Sequence, residues 1–152
     1  YPDENLLIDH KEGIFVGYRY FDTYEVEPAF AFGHGLSYTT FEYSDLQIAK
    51  DGNQVSVSVT VTNSGEVAGA EVIQVYVKDQ ESRLERPVKE LKGFDKVMLD
   101  SEESSTISFR LNEDSFSYYD DEQRKWVLEP GKFTVLVGSS SRDIRLKGTL
   151  EL

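Results

Sequence analysis

Residues 55–62 alternate strictly, with valine at every odd position and serine or threonine at every even position. Successive side chains of a β-strand point to opposite faces, so this pattern predicts a strand with one buried face and one solvated face. The β-branched side chains favour the same extended conformation. Turn signals stand on both sides, Asp51-Gly52 before the segment and Asn63-Ser64-Gly65 after it. The segment is therefore predicted to be one strand of a sheet that packs through one face.

The same alternation recurs along the rest of the chain. From residue 41 onward no stretch sustains the 3.6-residue apolar period of a helix. Seven or eight short strands at regular spacing favour an all-β fold of two packed antiparallel sheets, an immunoglobulin-like sandwich over residues 41–152. The further predicted strands are 71–78, 91–99, 105–111, 132–137 and 144–152, with a hairpin made of 116–119 and 125–128.

The first forty residues are rich in aromatic side chains, are punctuated by glycines and show no strand pattern. Leaving this apolar surface in water would cost roughly 25 cal/mol per Å². The segment is therefore expected to be an irregular, extended arm that packs on the sandwich or on a neighbouring domain. The chain starts at Tyr1 without a methionine, which suggests an excised piece of a longer protein. The candidate docking residues are Phe15, Tyr18, Arg19, Tyr20, Phe30, Phe32 and Tyr38.

Charge and composition exclude several classes of function. The formal net charge is −12, which repels phosphate backbones and disfavours both nucleic-acid partners and anionic membranes. The chain has no cysteine, so thiol catalysis, thiolate metal sites and disulfides are ruled out. We expect no cofactor and no metal. The compartment stays open, because a bacterial cytoplasmic protein and an exported one both fit this composition.

Five blocks stand in order along almost the whole chain: EGIFVGYRYFD (12–22), PAFAFGHGLSYT (28–39), RPVKELKGF (86–94), KWVLEPG (125–131) and VGSSSRDI (137–144). Together they resemble the C-terminal region of glycoside hydrolase family 3. That resemblance implies a fibronectin type III-like domain at 41–152, preceded at 1–40 by a connector from an upstream α/β sandwich domain. Two positions depart from the family pattern and are expected to loosen a loop: Ala31 replaces a proline, and Ser101-Glu102 replaces a Pro-Gly turn.

The resemblance implies a parent enzyme that hydrolyses β-glucosides, or alternatively β-xylosides, with retention. The chain itself is then a non-catalytic module that stabilises or docks onto the upstream catalytic domains of the same polypeptide, and a homodimer formed through the parent is a further hypothesis. Two alternatives remain for the chain alone. One is a polysaccharide-binding module and the other is a self-sufficient hydrolase.

No catalytic residue is predicted in this chain. Retaining glycosidases use two carboxylates about 5 Å apart, and the family nucleophile lies in a Ser-Asp-Trp-like motif of the upstream barrel. Asp45 follows a serine but lies in a predicted strand, without the aromatic residue that should follow. Glu12 is interpreted as a structural carboxylate that pairs with Arg19. The two histidines, His10 and His34, lack the spacing of a metal site or a triad, and His34 is interpreted as an exposed turn residue.

Two clusters in the predicted hairpin allow more than one interpretation. Residues 120–122 are all acidic, but they lack the alternating ligand pattern and glycine of a calcium loop, so a solvated hairpin tip is favoured. Tyr118, Tyr119 and Trp126 flank the hairpin and are the candidate carbohydrate-binding residues. The competing interpretation, which we favour, places Trp126 in the core of the sandwich with the tyrosines at its rim.

Overall fold

The computed structural model describes residue 8 and residues 10–152. Within them the chain forms one short α-helix, nine β-strands and one 3-10 turn at Glu113–Ser115. None of the helices in this described part is long and apolar enough to cross a membrane. The elements are α1 Tyr18–Thr23, β1 Phe41–Asp51, β2 Gln54–Asn63, β3 Gly69–Asp79, β4 Glu90–Leu99, β5 Ser104–Leu111, β6 Tyr118–Asp120, β7 Lys125–Val127, β8 Lys132–Gly138 and β9 Ile144–Glu151.

The strands build two main sheets and a separate hairpin. One sheet has three strands in the order β1-β2-β5, and the other has four in the order β4-β3-β8-β9. Strands β6 and β7 pair with each other in a small third sheet. All of these pairings are antiparallel, and the connections β2–β3 and β4–β5 cross from one main sheet to the other. The predicted all-β sandwich is confirmed.

The alternation that predicted β2 also decides what it buries. Its four valines are almost completely inaccessible to solvent, whereas its serines and threonines lie on the outer face. Opposite them, alternate residues of β3 and β8 close the core from the four-stranded sheet. Burying such side chains contributes about 1.5–3 kcal/mol each. The buried residues that fill this core are Phe41, Val55, Val57, Val59, Val61, Ile73, Val75, Val77, Leu99, Ile107, Phe109, Leu111, Phe116, Phe133, Val135 and Val137.

Asn63, part of a predicted turn, is the fully buried last residue of β2. Its side-chain oxygen accepts hydrogen bonds from the hydroxyl of Thr39 and from the N–H of Gly65, the latter at 3.1 Å. Its amide nitrogen donates to the carbonyl oxygens of Val67, at 2.8 Å, and Leu99, at 3.0 Å. One side chain thus connects the start of the sandwich, the β2–β3 loop and the end of β4.

The turn at Ser101-Glu102, which departs from the family pattern, is closed by hydrogen bonds. The N–H of Glu102 donates to the carbonyl of Asn63 at 2.9 Å, and the Ser101 hydroxyl donates to the carbonyl of Gly65 at 2.7 Å. Glu102 has a φ of 64°, in the left-handed region. That conformation costs an ordinary residue about 1–2 kcal/mol relative to glycine.

The N-terminal arm is not extended and irregular throughout, as the sequence had suggested. It contains helix α1 and folds back on the outer face of the four-stranded sheet. Gly33 shows how close this approach is. It has a φ of 83°, and a Cβ atom placed on it would lie 2.0 Å from Nε2 of Gln74 in β3. A larger residue at position 33 would have to displace the amide of Gln74 and adopt a φ that favours glycine.

Candidate docking surface

One side of the arm faces the sandwich and is held there by Tyr18. Its ring lies 5.0 Å from that of Phe32 and 5.7 Å from that of Tyr76, and its hydroxyl oxygen accepts a hydrogen bond from the N–H of Leu91 at 2.7 Å. Burial raises the pKa of the Tyr76 hydroxyl, consistent with an aromatic cluster that excludes water. Tyr18, which was predicted to dock on another domain, is therefore used within this chain.

The end of α1 is fixed by a charge cluster around Asp22. This carboxylate is only 5% exposed and lies 2.8 Å from Lys89 Nζ and 2.8 Å from Arg142 Nε. Arg142 also contacts Glu27 at 2.6 Å and donates to the carbonyl of Val26 at 2.7 Å. The hydrogen bond to Asp22 is the main reason that the pKa of Arg142 is raised. The cluster joins the arm to the loop before β9.

Arg19 faces inward as well, but its partner is not the predicted one. Its guanidinium lies 3.3 Å from Glu90, which also pairs with Arg86 at 2.9 Å. The predicted Glu12–Arg19 pair is wrong: the Glu12 carboxylate lies 3.4 Å from Nδ1 of His10. The helix turns Arg19 toward β4, whereas Glu12 lies in the turn before it.

The other side of the arm presents apolar side chains to solvent. Phe30 is 75% exposed, Leu36 is 95% exposed, and Tyr38 is fully exposed. The ring of Phe30 lies 5.3 Å from His34, whose own ring is exposed as predicted. Phe15 is half-buried and contacts Tyr24 at 5.4 Å. The remaining large exposed side chains of the described arm are Ile8, Ile14, Val16, Tyr20, Tyr24, Val26 and Phe32.

Strand β4 extends this apolar surface with two residues that the sequence interpretation missed. Phe94 and Met98 are mostly exposed on the outer face of the sheet, opposite Gln74 and Ala70 of β3. Because Gly33 lies against Gln74, Phe94 adjoins the arm. The alternation at the end of β4 indicated this exposure, because Val97 and Leu99 lie on the inner face and Met98 between them must lie on the outer one. We call the exposed side chains of Phe30, Phe32, Leu36, Tyr38, Phe94 and Met98 the arm surface.

The hairpin formed by β6 and β7 corrects the interpretation of Trp126. This side chain is 63% exposed and does not lie in the core. It is the cross-strand partner of Tyr119, also exposed, with ring centroids 5.8 Å apart and an interplanar angle of 73°. Tyr118 is buried on the opposite face, and its hydroxyl donates to Glu129 at 2.9 Å. The hairpin pairs with neither main sheet, so its outer face remains in solvent.

The three acidic residues at the tip of this hairpin, 120–122, differ in their exposure to solvent. Asp121 and Glu122 are exposed, as predicted, but Asp120 is fully buried and forms an ion pair with Arg83. The N–H of Gln123 donates to Asp120 at 2.9 Å and is the main cause of its lowered pKa. The interpretation of Asp120 as solvated is therefore wrong, because its carboxylate is buried and accepts a hydrogen bond from the backbone of the turn.

Asp45 is the remaining catalytic candidate. Asp45 is exposed at a bulge in β1, with a φ of 52° and a 3.0 Å hydrogen bond from Ser44. Over residue 8 and residues 10–152, no three or more His, Asp or Glu side chains are grouped so as to hold a metal ion.

The sandwich and its arm are similar to regions of known proteins. Residues 71–141 match the family model described as fibronectin type III-like domain. The chain contains a fibronectin type III-like domain. The match begins inside β3 and ends after β8. It therefore leaves the predicted boundary between arm and sandwich at residue 40 as a prediction.

Several relatives match the arm as well as the domain. The thermostable beta-glucosidase B of Acetivibrio thermocellus is 49% identical over 100% of this chain and 21% of its own length. An exo-alpha-(1->6)-L-arabinopyranosidase of Bifidobacterium breve is 45% identical over 100% of the chain and 20% of its own length. The crystal structure of the Bifidobacterium adolescentis GH3 beta-glucosidase has a TM-score of 0.96 and 45% identity, covering 100% of this chain and 23% of that one.

These matches confirm the resemblance to glycoside hydrolase family 3 β-glucosidases over the arm and the fibronectin type III-like domain together. The chain spans about a fifth of the length of the relatives it matches.

Proposed function

We propose that this chain is a non-catalytic accessory module of a longer glycoside hydrolase, and that it docks through the arm surface onto the catalytic domains of the same polypeptide. The observation that carries the proposal is the two-sided arm. One side is fixed by Tyr18, Asp22 and Arg142, while the other presents Leu36 and Tyr38 to solvent. An apolar surface held rigidly in water indicates a contact site. Homodimerisation of the parent stays a prediction.

The carboxylates support a non-catalytic role. Retaining hydrolysis needs a nucleophile and an acid/base about 5 Å apart around an open site. The buried carboxylates of Asp22, Asp79 and Asp120 are each engaged by an arginine. Such pairs stabilise the fold and leave the carboxylates unavailable to a sugar ring.

The proposed parent activity is hydrolysis of terminal β-D-glucosides with retention, because the relatives include β-glucosidases. A β-xylosidase is the alternative. A relative of nearly the same identity is an arabinopyranosidase, so this module accompanies more than one sugar specificity. The sugar preference of the parent must therefore be determined outside this chain.

The docking proposal predicts a difference between the isolated chain and the parent enzyme. Phe30→Ser combined with Tyr38→Ser should change the unfolding free energy of the isolated chain by no more than about 0.5 kcal/mol, because both side chains are exposed. The same pair should lower the melting temperature of the parent by several degrees, since each buried aromatic anchor contributes about 1–2 kcal/mol to an interface. Thermal denaturation of both proteins measures the two effects.

A matched control replaces Tyr119 and Trp126 by serine, which removes two exposed aromatic rings from a different face. The parent should tolerate this change. An unchanged melting temperature of the parent after the arm substitutions would rule out docking through the arm surface. Equal losses for both pairs would do the same.

Polysaccharide binding at the hairpin is a second candidate function, favoured by the exposed Tyr119–Trp126 pair. Flat aromatic rings stack on sugar faces, and Trp126 is the only tryptophan in the chain, so its fluorescence reports on this site alone. Titration with cello-oligosaccharides or xylan should shift that emission, and Tyr119→Ala should weaken the response. Constant emission across the titration would reject this candidate. Tyr118 is buried and is no longer part of it.

A further inference from the structure

The outer face of the four-stranded sheet holds a shallow depression beside the arm. The arm covers this face around Gln74 and Tyr76, and the depression lies on the adjoining part of β3, β8 and β9. Its volume is about 660 Å³ and it is open to solvent. The side chains that line it are Lys78, Gln80, Thr134, Leu136, Lys147 and Thr149.

The charge of the depression is opposite to that of the chain. Lys78 and Lys147 contribute two positive charges, whereas the chain carries a net charge of −12. Among the residues that the structure describes, no carboxylate lies within ion-pair distance of either lysine. Glu151, which shares this face of β9, lies opposite Lys132. Two lysines that no acidic side chain neutralises form a site complementary to an anion.

The register places the two lysines on either side of β8. Lys78 is opposite Thr134, and Lys147 is opposite Leu136, two residues further along β8. With strands about 4.8 Å apart and a rise of about 3.3 Å per residue, their Cα atoms are separated by roughly 12 Å. Both side chains can extend over β8 toward a ligand that lies across it. Gln80 donates to the Thr134 hydroxyl at 2.8 Å, which orders the polar groups between them.

We propose that this depression binds a segment of a carboxylate-bearing polysaccharide, with uronate groups at Lys78 and Lys147 and sugar hydroxyls at the Thr134 and Thr149 hydroxyls. Leu136 provides an apolar contact for the C–H face of a pyranose ring. The proposal is independent of docking through the arm surface and of neutral-glycan binding at the hairpin.

Two observations favour a polyuronate over other anionic polymers. Strand β8 is paired on both sides, with β3 and with β9, so it offers no free N–H or C=O groups to an incoming peptide strand. Recognition must come from hydroxyl, amide and ammonium side chains, which match the hydroxyls and carboxylates of an acidic sugar. A nucleic-acid site is usually a patch or stripe of many lysine and arginine side chains, and this depression is lined by two lysines.

Titration of the chain with a defined oligogalacturonate, followed by calorimetry and by backbone NMR, tests the proposal. We expect binding that perturbs the amides of residues 134–136 and 147–149 and weakens with added salt. Lys78→Gln combined with Lys147→Gln should raise the dissociation constant about fivefold or more, as expected for the loss of two solvent-accessible ion pairs. Lys50→Gln combined with Lys96→Gln removes the same charge elsewhere and should change the constant less than twofold.

Neutral cello-oligosaccharides and a glutamate peptide of equal charge are the comparison ligands. The cello-oligosaccharides should leave the amides of 134–136 and 147–149 unperturbed, and the peptide should bind at least about fivefold more weakly than the uronate. Absence of oligogalacturonate binding at millimolar concentration would overturn the proposal. Equal weakening by both double substitutions would also overturn it, as would a peptide that binds as tightly through the same two lysines.

Discussion

Replacing Phe133 by alanine is expected to lower the free energy of unfolding by about 3–5 kcal/mol. The side chain is completely buried in β8, and its ring lies 5.3 Å from that of Phe116 in an edge-to-face arrangement. The substitution removes apolar burial and the aromatic contact and leaves a cavity between the sheets. Urea denaturation monitored by circular dichroism measures the loss.

Phe94→Ala is the matched control for this prediction. It removes the same ring from β4, another strand of the same sheet, but from a position that is mostly exposed. The change in unfolding free energy should stay within about 0.5 kcal/mol. If the two substitutions destabilise the chain to the same extent, the assignment of inner and outer faces is wrong.

Asn63→Ala should cost about 2–4 kcal/mol, although the sequence presents this residue only as part of a turn. The substitution removes four hydrogen bonds, and it takes away the donor to the Leu99 carbonyl in a buried place and the acceptor of the half-buried Gly65 N–H. Each unsatisfied buried group costs about 1–3 kcal/mol. Asn63→Asp keeps the size but replaces the amide donor by a carboxylate, which should be repelled by the carbonyls of Val67 and Leu99.

The exposed turn residue Asn53 provides the control for Asn63. It lies in the β1–β2 turn, and Asn53→Ala should change the unfolding free energy by no more than about 0.5 kcal/mol. Chemical denaturation of the three variants in parallel measures these effects. An Asn63→Ala protein as stable as Asn53→Ala would show that the hydrogen bonds of Asn63 contribute nothing net.

Side-chain periodicity predicted the strands well because one face of a strand packs in the apolar core and the other faces water. In β2, valine meets the core and threonine meets water, so the sequence alone identifies both the strand and its buried face. The predicted hairpin is also present, as β6 and β7. Where periodicity is weak, as in β4, the sequence identified the strand but missed that Phe94 and Met98 extend an exposed apolar surface.

The side-chain partners were predicted poorly. The pairing of Glu12 with Arg19 and the core position of Trp126 were both wrong, and the burial of Asp120 was missed. For two of these errors the observed contact joins segments that are distant in sequence. Arg19 meets Glu90, and Asp120 meets Arg83.

The sequence by itself determined the strands, the buried faces and the membership of a sandwich, because alternation and turn residues act over a few neighbouring positions. Only the tertiary structure decided which side of the arm is anchored, which aromatic rings remain in solvent and where Lys78 and Lys147 come together across β8. Those outcomes depend on the order of strands in the sheets and on contacts between residues far apart in the chain, and local patterns carry no information about either.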